Sequence, residues 1–168
     1  MTYKKKYHNR SDGKVSYIEW DKDISMPGLQ FCHATGFNAL TYKRLLEPLS
    51  DLFHIRAEDA RGHGFTETSA IPKTIFDWKI YRDDLIQSVE NFVESKGEPI
   101  VLSGHSMGGA SVMQVAAKRP DLVSGIVLVE PVLISKMSLN ILKIAKKFPI
   151  TKSIPFIKEM TSRSDSTL

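Results

Sequence analysis

Six residues constrain this chain more than any others: Gly104-His105-Ser106-Met107-Gly108-Gly109. An apolar run, Pro99-Ile100-Val101-Leu102, precedes them, and a segment with helical character, Ala110 to Arg119, follows. A G-x-S-x-G motif between a strand and a helix is the setting of a nucleophile elbow. The turn is so tight that the positions two before and two after the serine must be nearly bare, which Gly104 and Gly108 satisfy. Ser106 is then expected to stand above a sheet, with the N-terminus of the following helix aimed at the reaction centre.

The flanking sequence supplies the setting. Val15 to Trp20, Leu29 to Cys32, Phe53 to Asp59 and Gly125 to Val129 read as further strands, being short, rich in β-branched and aromatic residues, and bounded by turn signals. Helices are expected from about Ala39 to Leu49, capped by Asn38, with Leu45, Leu46 and Leu49 on one face. A longer helix is expected from Ile75 to Ser95, with Ile80, Leu85, Val89, Phe92 and Val93 as its buried side and Gly97 and Pro99 ending it. Strands alternating with helices predict an α/β fold, a mainly parallel sheet with helices on both faces. Gly125 to Val129 is expected to be a buried strand of that sheet.

Composition narrows the class. The chain has 168 residues, 42% apolar and 25% charged, as in a globular domain. One cysteine, Cys32, excludes an internal disulfide framework. The N-terminus carries Lys4-Lys5-Lys6 without an apolar core of a signal peptide, and no stretch is long enough for a membrane span, so a cytoplasmic location is expected. The net charge of +4 is uneven: residues from Lys136 onward carry seven Lys/Arg and two Asp/Glu, whereas the remainder is nearly neutral. A basic tail is therefore expected rather than a nucleic-acid-binding face. No His, Cys and carboxylate cluster has metal-ligand spacing, and the elbow has neither the lysine nor the spacing of a P-loop, so no metal and no cofactor is expected.

Taken in order, four segments resemble the α/β-hydrolase superfamily, specifically its lid-bearing, esterase-like serine hydrolases. They are His33-Ala34-Thr35-Gly36-Phe37, similar to the family's oxyanion loop; Asp59-Ala60-Arg61-Gly62-His63-Gly64, similar to its D-x-R-G-H-G segment; the elbow; and the strand ending in Val129-Glu130-Pro131. The resemblance implies Ser106 as nucleophile and the N–H groups of Thr35 and Met107 as oxyanion donors. Glu130 is the candidate acid, and Phe37 and His105 are candidates for the substrate pocket. Ala34 departs from the family's usual glycine but leaves the backbone role intact. Serine rather than aspartate at the elbow turns the reading away from haloalkane dehalogenases and epoxide hydrolases, towards acyl transfer on a carboxylic ester or related small acyl substrate.

A serine needs an adjacent base, and in this fold the histidine follows the serine. The five histidines, His8, His33, His54, His63 and His105, all precede Ser106. The resemblance thus implies an incomplete core over residues 1–135, truncated after the sixth family strand, followed by a lid segment over 136–168. There Leu139, Leu142, Ala145 and Phe148 face one side of a helix and Lys143, Lys146 and Lys147 the other. His33 and His63 are expected to shape backbone, His105 to have a structural role, His54 to be packed or at the surface, and His8 to be solvated. Asp59 reads as a structural carboxylate of the Arg61 loop. Self-association, or a complementing C-terminal chain, would cover the apolar surface. The rival reading is a non-catalytic α/β-hydrolase-like binding module, or an inactive fragment, whose basic tail meets a partner or a membrane surface.

Overall fold

A computed structural model of the chain describes residues 3–68 and 78–133. The strands are β1 (Lys4–Arg10), β2 (Gly13–Trp20), β3 (Gly28–Cys32), β4 (His54–Glu58), β5 (Ile100–His105) and β6 (Val123–Val129). Among the described residues they form one sheet in the order β1-β2-β4-β3-β5-β6. β1 and β2 pair antiparallel, as do β2 and β4, while β4, β3, β5 and β6 run parallel.

Alternation along the strands sends side chains to two cores. On one face Ile18, Trp20, Leu29, Phe31, Ile55 and Ala57 pack with Ala39 and Leu46. On the other, Ile100 and Leu102 pack under two helices, α2 (Lys79–Lys96) and α3 (Met107–Lys118), which contribute Leu85, Val89, Phe92, Val112 and Val115. Helix α2 ends as its sequence dictates: Gly97 takes φ 73° and its N–H donates to the Val93 carbonyl at 2.8 Å.

Three expectations are corrected. The helix over Ala39–Leu49 is broken into a 3-10 turn at Ala39–Tyr42, one α turn, α1 (Lys43–Leu46), and a second 3-10 turn at Glu47–Asp51. Pro48 lies at the start of that last turn, where it has no N–H to continue an α-helix. Leu46 is buried, but Leu45 is 53% exposed and does not share its face. The strand at Gly125–Val129 exists but is not buried, since β6 is an edge strand among the described residues, with Ile126, Val127 and Val129 exposed. The third correction is β1, which the sequence left unassigned. Its lysines form a strand through pairing, because Lys4 bonds Asp21 and Lys6 bonds Glu19 across β2.

The chain divides into a compact unit through Val132 and a second unit from Leu133. The expected lid segment over 136–168 and the start of the helix over 75–77 lie outside the described residues. Among the described residues no helix is long and apolar enough to cross a membrane.

Candidate active site

The parallel strands β3, β4 and β5 end side by side, so the loops that follow them meet. β5 passes directly into α3 through Ser106, whose φ of 51° is a left-handed value outside the usual range of a non-glycine residue. Strain of this kind persists only where surrounding structure over-determines it. Here the Ser106 N–H donates to the Val129 carbonyl at 3.0 Å, and the Ser106 carbonyl accepts from Ala110 at 3.0 Å and Val132 at 3.1 Å. The two elbow glycines meet the close approach expected of them. A Cβ on Gly104 would lie 2.5 Å from the Gly108 carbonyl carbon, and one on Gly108 would fall on the Cys32 carbonyl oxygen.

That contact seats the loop after β3 against the first turn of α3. The Thr35 hydroxyl donates to the Met107 sulfur at 3.3 Å, so Thr35 and Met107 are neighbours although 72 positions apart. Thr35 is exposed and Met107 buried. As the first residue of α3, Met107 has an N–H without an intrahelical acceptor.

The loop after β4 is anchored as a unit. Asp59 Oδ1 accepts from the Ala39 N–H at 2.8 Å, and its Oδ2 accepts from the Phe65 N–H at 3.0 Å. Asp59 is therefore a structural carboxylate. Arg61 makes a fork to Asp84 of α2, with Nε and Nη2 donating to its two oxygens, and also reaches Asp12 at 2.8 Å.

Each histidine has a partner. His33 is buried, with Nδ1 donating to the Ala34 carbonyl at 2.7 Å and Nε2 accepting from the Ala60 N–H at 2.9 Å. Those two bonds assign a neutral ring, and burial pushes its pKa down to about 4. His63 Nδ1 donates to the Arg61 carbonyl at 2.9 Å. His54 is buried against Glu19 at 2.9 Å. His105 Nδ1 shares a hydrogen bond with the Tyr42 hydroxyl at 2.7 Å. His8 is not solvated as expected: its ring is half-buried beside Ser88 at 3.5 Å and Glu58 at 4.0 Å, and burial, then Arg10 and Arg56, lowers its pKa to about 4. Among the described residues no histidine hydrogen-bonds Ser106.

Glu130 follows β6, is exposed, and takes φ 42°. It lies between Val129 and Val132, whose backbones bond Ser106 from both sides, so its position is tied to the elbow. Phe37 and His105 form an aromatic cluster with Tyr42, the rings of Phe37 and His105 being 6.4 Å apart. They do not line the cavity of about 40 Å³ found behind the elbow, which Cys32, Glu58, Tyr81, Asp84, Met107 and Ser111 surround. That volume holds a few water molecules and no acyl chain. Burial pushes the Cys32 thiol up, away from thiolate chemistry at neutral pH.

Burial also raises Glu58, at the end of β4, to about 7. A carboxyl with a raised folded-state pKa stabilises the fold below about pH 4.5, and the contribution is lost as pH rises to about 7. At ~1.4 kcal/mol per unit the loss approaches ~3 kcal/mol. Urea unfolding at pH 5 and pH 8 should show Glu58→Gln gaining on the parent by up to ~3 kcal/mol at the higher pH. An equal difference at both pH values would contradict a buried, protonated Glu58.

Tyr42 is the site residue that sequence reasoning passed over. The available signal was a hydroxyl-bearing ring among Leu40, Leu45, Leu46 and Leu49, because a buried tyrosine requires a hydrogen-bond partner.

Comparison with known proteins bears on the family and the fold. The sequence model of a family described as "Serine aminopeptidase, S33" matches residues 29–163. Monoglyceride lipase of Mus musculus is 34% identical over 129 residues, which are 74% of this chain and 42% of that protein. The 2-(acetamidomethylene)succinate hydrolase of Mesorhizobium japonicum is 32% identical over 106 residues, 63% of this chain and 36% of that protein. Among solved structures, the thioesterase domain from the curacin biosynthetic pathway matches with a TM-score of 0.72 at 19% identity, over 86% of this chain and 52% of that one, a likeness of fold. The chain spans less than half the length of the curated relatives it matches.

Proposed function

The chain belongs to the serine aminopeptidase S33 family of α/β-hydrolases, and from that premise we propose that it is the nucleophile-bearing part of a serine hydrolase acting on a carboxylic ester or related small acyl substrate. Its relatives are lipases and hydrolases, which favours ester chemistry over peptide cleavage. The observation that carries the reading is the left-handed Ser106 between β5 and α3, with Thr35 in contact with Met107 beside it.

In this mechanism Ser106 Oγ attacks the acyl carbonyl carbon and its proton passes to a base. The carbonyl π pair moves onto oxygen, and the N–H groups of Thr35 and Met107 receive that oxyanion. The tetrahedral intermediate then expels the protonated alcohol, and water reverses the sequence to free the acid. The fold's order places the base on a histidine that follows the serine, with Glu130 as the candidate acid that orients it. Phe37 and His105 flank the acyl group from the oxyanion-loop side.

The test is labelling with a fluorophosphonate, read by intact mass. An elbow and oxyanion hole without a full triad retain about 10³–10⁴-fold catalysis over water. The folded chain should therefore take one label at Ser106 at least ~10³-fold faster than the same chain in urea, and Ser106→Ala should take none. Equal rates in the folded and unfolded chain would overturn the reading.

A further inference from the structure

The oxyanion loop and the elbow are joined by one side chain that the mechanism above does not use. The Tyr42 hydroxyl lies 3.1 Å from the Ala34 nitrogen and 2.7 Å from His105 Nδ1. We propose that Tyr42 is a positioning residue, whose hydroxyl accepts from the Ala34 N–H and donates to His105 Nδ1, so that the loop carrying Thr35 is held at a fixed distance from Ser106. The proposal rests on the serine-hydrolase reading for its catalytic consequence, though not for the bridge itself.

Donor chemistry sets the direction of the first bond, and the proposal assigns that of the second. A backbone N–H can only donate, so the tyrosine oxygen is the acceptor at Ala34. Its single O–H then remains available to His105, and the proposal assigns Nδ1 as the acceptor. On this assignment Nε2 of His105 is the ring nitrogen that carries the proton. Burial raises the Tyr42 hydroxyl above its ordinary value, which keeps the donor protonated at neutral pH.

Ala34 is clamped at both ends of its backbone. Tyr42 takes its N–H, while its carbonyl accepts from His33 Nδ1 at 2.7 Å and from the Phe37 N–H at 3.1 Å. The Ala34 carbonyl and the Thr35 N–H share one planar trans peptide and point in opposite directions. Fixing that carbonyl fixes where the proposed oxyanion donor points. His33 and Asp59 tie the loop to the segment after β4, whereas Tyr42 ties it to β5 beside the nucleophile. The ring itself is held independently, packing on Phe31 with centroids 4.7 Å apart and on Phe37 at 6.1 Å. Removing the hydroxyl alone therefore leaves the aromatic packing in place.

The experiment compares the chain with Tyr42→Phe by ¹⁵N NMR, amide hydrogen exchange and fluorophosphonate labelling. In the unsubstituted chain, His105 should show an unprotonated, hydrogen-bonded Nδ1 and a protonated Nε2; a neutral ring protonated on Nδ1 would overturn the proposal without any variant. In Tyr42→Phe, the Ala34 amide should exchange at least tenfold faster, while the amides of Ile55 and Ala57 in β4 keep their protection. Labelling of Ser106 should slow about 10- to 100-fold, the scale expected when an oxyanion donor is displaced. Unchanged Ala34 exchange would refute the bridge. Lost protection with an unchanged labelling rate would refute its positioning role. If the unsubstituted chain takes no label, the serine-hydrolase reading fails, and the NMR and exchange measurements still decide the bridge.

Discussion

Gly108→Ala should cost the fold ~3 kcal/mol or more, the upper range for overpacking, and should abolish labelling of Ser106. The added methyl would clash with the Cys32 carbonyl oxygen and lie 2.7 Å from the His33 carbonyl oxygen. Both are backbone atoms at the end of β3, and β3 is hydrogen-bonded on each side, to β4 and to β5. No side-chain rotation relieves the clash, so either α3 or the oxyanion loop must move. Gly125→Ala in β6 is the matched control, because a Cβ there meets nothing within 4 Å, and its effect should stay within ~0.5 kcal/mol of neutral. Urea unfolding of the two variants measures both. Equal midpoints would show that α3 does not pack on β3 as described.

Glu19→Ala should destabilise the chain by ~3–5 kcal/mol, the cost of breaking a buried ion cluster from one side. Glu19 is 2% exposed and receives bonds from His54 Nε2 at 2.9 Å, from Arg56 Nε at 2.7 Å and from Lys6. Burial alone would raise its carboxyl. The hydrogen bonds from His54, Lys6 and Arg56 outweigh burial and hold it well below the usual carboxylate range. A depressed folded-state pKa contributes stability that is present above about pH 4.5 and lost as pH falls below it. Acid unfolding of the parent should therefore be steep below pH 4.5, and Glu19→Ala should lose that steepness along with its neutral-pH stability. Alanine also leaves His54 and Arg56 without their carboxylate beneath β4, which is why the loss exceeds that of a surface pair. A variant within ~1 kcal/mol of the parent at pH 7 would contradict the cluster.

The parallel strands were legible because burial on both faces demands unbroken apolar runs, as in Ile100 to Leu102. The elbow was legible because Gly104 answers a contact with Gly108, only four residues along the chain. What failed depended on partners distant in sequence. Lys4-Lys5-Lys6 has no strand-forming alternation of its own and becomes β1 only because Asp21 and Glu19 await it across β2. The reading of Gly125–Val129 as buried assumed cover that the described residues do not provide. His8 looked like a solvated terminal residue, yet pairing of β1 carries it beside Ser88 of α2. At the proposed site, motifs alone singled out Ser106, Thr35 and Met107, of which Thr35 and Met107 are in contact, whereas Tyr42 emerges only when residues 63 positions apart are brought within one hydrogen bond.

The register of β3 on β5 joins Leu29 to Val101 and Cys32 to Gly104. About seventy residues must therefore be looped out before Ser106 and the loop after β3 can meet, and no local fragment can pre-assemble them. Chains dominated by such distant pairings fold on the slower end, in milliseconds to seconds. On the proposed mechanism, Ser106 stays an ordinary serine until that closure is made. Its reactivity is in consequence a clock for completion of the sheet: the time course of fluorophosphonate uptake after dilution from urea should lag behind the recovery of helical circular dichroism.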